Sequence, residues 1–164
     1  MAKMLLLLRH AKSSWKNPEL ADRDRPLNKR GKRDALRMGR LLDEEGLVPD
    51  AILSSTAVRA QDTAAAVAKS CGYDRRRITH IESLYASGPE EYLNVLRRLP
   101  DDPKVVLVVG HNPGMEEYLE ILTGQPEAMP TAALAFVKLP IKRWSALDDN
   151  TKGKLKTVWR PKEL

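Results

Sequence analysis

Two stretches of the chain are unbroken runs of leucine and valine, Leu5–Leu8 and Val105–Val109. Each runs directly into a histidine-bearing turn: Arg9-His10 after the first, Gly110-His111 after the second. Successive side chains of a strand point to opposite faces of its sheet, so a strand apolar on both faces needs cover on both. The runs are too short for membrane spans, which need about 20 apolar residues. They fit buried strands of a parallel sheet with helices packed on either side.

The rest of the chain repeats this alternation. Strand candidates are Lys3–Leu8, Pro49–Ser55, Arg77–Glu82, Lys104–Gly110, Ala133–Leu139 and Lys154–Arg160. The last alternates polar and apolar residues, which suits an edge. Helix candidates lie between them. Asn28–Gly46 places Ala35, Met38, Leu41 and Leu42 on one face; Thr56–Gly72 has Ser55 or Thr56 as its cap. Pro89–Pro100 is a third, and a fourth starts with Pro113 at the first helical position and stops near Gly124. The expected fold is α/β: a three-layer α/β/α sandwich on a mostly parallel sheet of about six strands, one domain over residues 1–164. Lys16–Arg25 reads as a surface loop and Ser145–Lys154 as a turn region.

Ligands of open parallel sheets sit beyond the carboxyl ends of the strands. There this chain places Arg9 and His10 from the first strand and His111 from the fourth. Arg59 falls in the first turn of the helix after the second strand, where free N–H groups already attract anions. Two arginines and two histidines make an anion pocket. A phosphoryl group suits it, because guanidinium forks match its oxygens and imidazole is a competent nucleophile toward phosphorus. Each element also has a plainer reading. Arg9 could pair with a surface carboxylate, Arg59 could be an exposed helix residue, and Gly-His-Asn-Pro-Gly could be only a turn. The conjunction carries more weight, since two of the chain's three histidines occupy equivalent strand ends.

The formal charge of +6 favours anionic partners without choosing among them. Aromatics make up only 5% of the residues and do not interleave with the basic runs, which argues against a stacking platform for nucleic acid. One cysteine, Cys71, rules out an intrachain disulfide, and three scattered histidines lack close metal-ligand spacing. Met4–Leu8 is too short for a signal-peptide core, so the expectation is a cytoplasmic protein with no membrane association.

"LLLLRHAKSSW" resembles the opening Arg-His motif of the histidine phosphatase superfamily. "DRDRPLNKRGKRDALRMG" is similar to the segment that follows it there. "SSTAVRAQDTA" resembles the segment bearing the second arginine, and "VVGHNPGMEEYL" the one bearing the second histidine. "MPTAALA" and Trp144 are similar to the small SixA-type branch of phosphohistidine phosphatases, whose fold is phosphoglycerate mutase-like.

The resemblance implies that His10 is the nucleophile and passes through a phosphohistidine intermediate. Arg9, Arg59 and His111 would hold the phosphoryl oxygens, and Ser13 would add a hydrogen bond to them. No metal or other cofactor is implied. The substrate would be a phosphorylated protein, such as a His-containing phosphotransfer domain, or a small phosphorylated compound, with inorganic phosphate as product.

The family's Arg-His-Gly is Arg9-His10-Ala11 here. Larger relatives carry a proton-donating carboxylate at the position that aligns with Ala86, with Glu82 nearby but out of register. A phosphoester oxygen leaves poorly without a proton, whereas the nitrogen of a phosphorylated histidine leaves readily. Two other functions remain open at this level: a phosphatase for small phosphoesters, and a non-enzymatic binder of phosphoprotein or nucleic acid. His80 reads as structural, and Asp62 as a partner for Arg59 or a first-turn residue. The basic runs Arg75–Arg77 and Lys152–Lys162 read as solvated faces that could guide an acidic partner.

Overall fold

A computed structural model describes residues 2–164. Lys3–Arg9 forms β1, Ala51–Ser55 β2, Thr79–Ile81 β3, Val105–Gly110 β4, Leu134–Leu139 β5 and Lys154–Trp159 β6. The helices are α1 (Lys29–Glu44), α2 (Val58–Cys71), α3 (Pro89–Arg97) and α4 (Gly114–Thr123). The sheet order is β3-β2-β4-β1-β5-β6. Strands β1 to β4 are parallel neighbours, while β5 and β6 are antiparallel, so the sheet is mixed with a parallel half.

The two apolar strands sit side by side at the centre. Their period of two divides the core. Leu5, Leu7, Val106 and Val108 face a layer containing α3 and α4, with Tyr92, Leu96, Leu119 and Trp144. Leu6, Leu8, Leu107 and Val109 face the layer of α1 and α2, with Met38, Leu42 and Val67. Helices α1 and α2 approach so closely that a Cβ on Gly39 would lie 2.6 Å from the carbonyl oxygen of Val67. Trp144, fully buried, donates its Nε1–H to the Pro103 carbonyl at 2.7 Å. Among the described residues, no helix is long and apolar enough to cross a membrane.

Several local expectations are corrected. The cap of α2 is Ala57, not Ser55 or Thr56: β2 continues through Ser55, whose Oγ accepts from the Ala57 N–H instead. Helix α4 begins at Gly114, with Pro113 one position outside as its cap. Leu41 is only half-buried, because the inner face of α1 is completed by Gly31, Asp34 and Gly39. Strand β3 is three residues long and lies at an edge, and His80 is exposed on it. The segment Lys16–Arg25 is not wholly a surface loop. Asp22–Asp24 forms a 3₁₀ turn, and Arg25 is buried against Ser13.

Candidate active site

Register brings the two histidines together. Arg9 on β1 lies opposite Gly110 on β4, so the next residue of each strand, His10 and His111, emerges at the same sheet edge. The ring centroids are 5.1 Å apart and inclined at 53°. Ser54 pairs with Val109, which carries Ser55 to the level of Gly110 and lets its Oγ meet His111 Nε2 at 2.8 Å.

Each ring is held by its backbone and one hydrogen bond. The His10 Nδ1–H donates to the Ala11 carbonyl at 2.8 Å, which leaves Nε2 with a free lone pair. The Ala11 N–H in turn donates to Thr63 Oγ1, whose hydroxyl donates to the Arg59 carbonyl. His111 is clamped through its main chain. Its N–H donates to Tyr92 Oη, and the Tyr92 hydroxyl donates to its carbonyl, both at 3.1 Å. Glycine at 110 is required by this clamp, since a Cβ there would collide with the Tyr92 hydroxyl.

Arg9 and Arg59 are both largely buried, and both line the same cleft as the two histidines. Arg9 Nη1 donates to the Met129 carbonyl, which also receives Asn112 Nδ2. Arg59 uses Nη1 and Nη2 on the carbonyl and carboxylate of Asp22, at 2.8 and 3.1 Å. Neither guanidinium finds a partner for its Nε–H among the described residues, although both atoms are buried. Orphaned buried donors are costly and point to a ligand that supplies acceptors.

Electrostatics agree with this. Burial, reinforced by His111, Arg59 and Arg9, lowers the His10 pKa to about 3. Burial, with Arg59 and Arg9 adding to it and Asp22 opposing, lowers His111 to about 4. Both rings are therefore neutral near pH 7, and His10 keeps its lone pair. Burial also lowers the Arg9 pKa.

Arg9, His10, Arg59 and His111 thus meet in one cleft of about 380 Å³. Ser13 lines it too, but its Oγ accepts from Arg25 Nη1 at 2.6 Å, so it is engaged by the protein first. Ala86 lies at the cleft with φ of 53°. Glu82 stays outside, exposed, bound to Arg23 and Thr56. Asp62 does not pair with Arg59; its carboxylate accepts weakly from the Leu27 N–H at 3.4 Å, and Asp22 takes its place.

Sequence reasoning missed Asp22, Arg25 and Tyr85. The Asp22 carboxylate accepts from the Tyr85 hydroxyl at 2.8 Å and from Arg25 and Arg59 at 3.1 Å each. Those bonds, Tyr85 foremost, hold its pKa at about 2. Arg25 lies under the Trp15 ring, 3.6 Å from its centroid. The one available signal was the acid–base spacing of Asp22 and Arg25 inside a polar loop.

The model of the histidine phosphatase superfamily (branch 1) matches residues 5–85. The chain is similar to a candidate phosphohistidine phosphatase SixA from Agrobacterium tumefaciens, with 31% identity and a TM-score of 0.81 over 98% of this chain and 99% of that one. It shares its fold with the protein histidine phosphatase SixA solved with tungstate, at 21% identity and a TM-score of 0.82 over 98% of both chains. An uncharacterised chloroplastic protein of Arabidopsis thaliana is 32% identical over 88% of this chain and 70% of its own length. An uncharacterised Mycobacterium tuberculosis protein is 39% identical over 65% of this chain and 63% of its own length. The chain belongs to the histidine phosphatase superfamily.

Proposed function

We propose that this phosphatase hydrolyses phosphohistidine on a protein partner. One observation carries the reading: beside a neutral imidazole with a free Nε2, two arginines keep buried Nε–H donors that no group among the described residues satisfies. A tetrahedral phosphoryl group accepts from both. His10 Nε2 attacks phosphorus, the substrate nitrogen departs, and phosphate rests on His10 until water releases it. Arg9, Arg59 and His111 stabilise the charge that gathers on the equatorial oxygens. His111 Nε2 and the Ser55 hydroxyl share a hydrogen bond at 2.8 Å; with the hydroxyl as donor, Nδ1 carries the ring proton and offers it to the ligand.

What lines the cleft supports this substrate class. Ala86 has no proton to give where larger relatives of the family carry an acid, and a phosphorylated imidazole needs none. Trp15 at the cleft is 69% exposed, a surface suited to contact with a protein bearing the phosphorylated side chain, such as a His-containing phosphotransfer domain. Metal independence is part of the proposal: two guanidiniums already supply the positive charge and repel a cation.

Incubation with phosphoramidate should leave an acid-labile phosphate on His10, and turnover should persist in a chelator. Full turnover by His10→Ala would overturn the mechanism. Much faster turnover of sugar phosphates than of phosphohistidine would reassign the substrate to small phosphoesters.

A further inference from the structure

Among the described residues lining the cleft, only Asp22 carries a carboxylate. It cannot act as an acid. Its oxygens accept from Arg25, Arg59 and Tyr85, which keeps it ionised at any pH at which the enzyme would work. Nor is Tyr85 a free donor, because its hydroxyl proton is held by Asp22 and its pKa is raised by that bond. The Asp22 side chain is nevertheless 51% exposed, so it faces whatever enters or leaves. A fixed negative charge inside an anion pocket weakens phosphate binding, which gives it no obvious use in holding the phosphoryl group itself.

We propose that Asp22 is a specificity-determining residue, favouring phosphoryl groups that leave from a protonated nitrogen over those that leave from an alkoxide oxygen. This rests on the phosphatase reading above. In the favoured reaction the His10 Nε2 lone pair forms a new P–N bond as the substrate's own P–N bond breaks. The departing ring takes that electron pair. With a proton already on its other nitrogen, it leaves as neutral imidazole. The Asp22 carboxylate attracts that N–H and keeps the proton on the ring. A phosphoester breaks its P–O bond instead, and its oxygen takes the electron pair as a full negative charge. Ionised Asp22 has no proton for it and repels it.

Substitution separates this role from a structural one. Asp22→Asn keeps the shape and an acceptor oxygen for Tyr85 but removes the charge; Asp22→Ala is a second variant. The kcat/KM for phosphohistidine and for glucose 6-phosphate would be measured on all three proteins. Each is read as a ratio, so that loss of folded enzyme or looser arginines cancels. The ratio of nitrogen to oxygen substrate should fall about tenfold in Asp22→Asn, the size of one modest charge interaction in the transition state. A ratio that stays within about threefold of wild type, whatever the absolute rates, overturns the proposal and leaves the phosphohistidine reading intact. Wild-type enzyme that prefers the sugar phosphate overturns the phosphohistidine reading itself.

Discussion

The Tyr92 clamp on His111 lends itself to a quantitative test. In Tyr92→Phe the buried His111 N–H loses its acceptor, while the His111 carbonyl keeps the Met115 N–H at 3.0 Å. One orphaned buried donor costs about 1–3 kcal/mol. For a chain of this size each kcal/mol moves Tm by roughly 2–4 °C, so a cost of about 2 kcal/mol means a fall of about 4–8 °C. Gly110→Ala strains the same place from the other side. Its Cβ meets the Tyr92 hydroxyl and stands 3.1 Å from Cε1 and Cζ of a ring with no exposed surface, so nothing can give way easily. Overpacking of this kind costs about 1–3 kcal/mol.

The two changes relieve each other, because Phe removes the atom the new methyl strikes first. The double variant should therefore be less destabilised than the sum of the singles, by about 1 kcal/mol. Urea unfolding with an unchanged slope, supported by thermal melts, measures all four proteins. A Tyr92→Phe protein within about 0.5 kcal/mol of wild type, or strict additivity of the pair, would refute the clamp.

Stability should rise with pH between about 5 and 6.5. His10 and His111 are neutral when folded, with values of about 3 and 4, but take up protons when unfolded near the ordinary 6.5. The unfolded chain then binds more protons, and stability increases until that value is passed and stays level above it. Lowered carboxylates such as Asp22 add their slope only at lower pH, so His10→Asn should shrink the slope in this window; an undiminished slope in urea titrations contradicts the assignment. Trp144→Phe should destabilise by roughly 2–4 kcal/mol, from the lost bond to Pro103 and the cavity left behind. Because Trp144 belongs to the core and not to the cleft, kcat/KM for phosphoramidate should hold; a matching loss of activity would show otherwise.

How far the site could be read in advance depended on what placed each residue. Leu5–Leu8 and Val105–Val109 announced central strands because nothing polar interrupted them, and their equal endings foretold that His10 and His111 would meet. Arg59 was legible because a helix start after a strand has a known place in this architecture. Asp22, Arg25 and Tyr85 were not. They come from loops whose composition reads as solvated, and the bonds that draw Asp22 to Arg59 span 37 residues of sequence. Ser55 was misread for a related reason: its local chemistry suits a helix cap, and only the neighbouring strand's histidine recruits it elsewhere. Strand β3 was overextended because an edge strand needs little hydrophobic signal.

The acceptor for the His10 Nδ1–H is the carbonyl of Ala11, where a carboxylate would be the familiar choice for orienting a reactive imidazole. A peptide group does not ionise, so the tautomer of the ring is indifferent to acidity across the range in which the fold survives. It also carries no net charge. In the proposed mechanism an acid in its place would sit beside the phosphoryl oxygens that Arg9 and Arg59 receive, and would oppose their arrival. The chain orients the nitrogen proposed as nucleophile with a dipole and adds no charge at that bond.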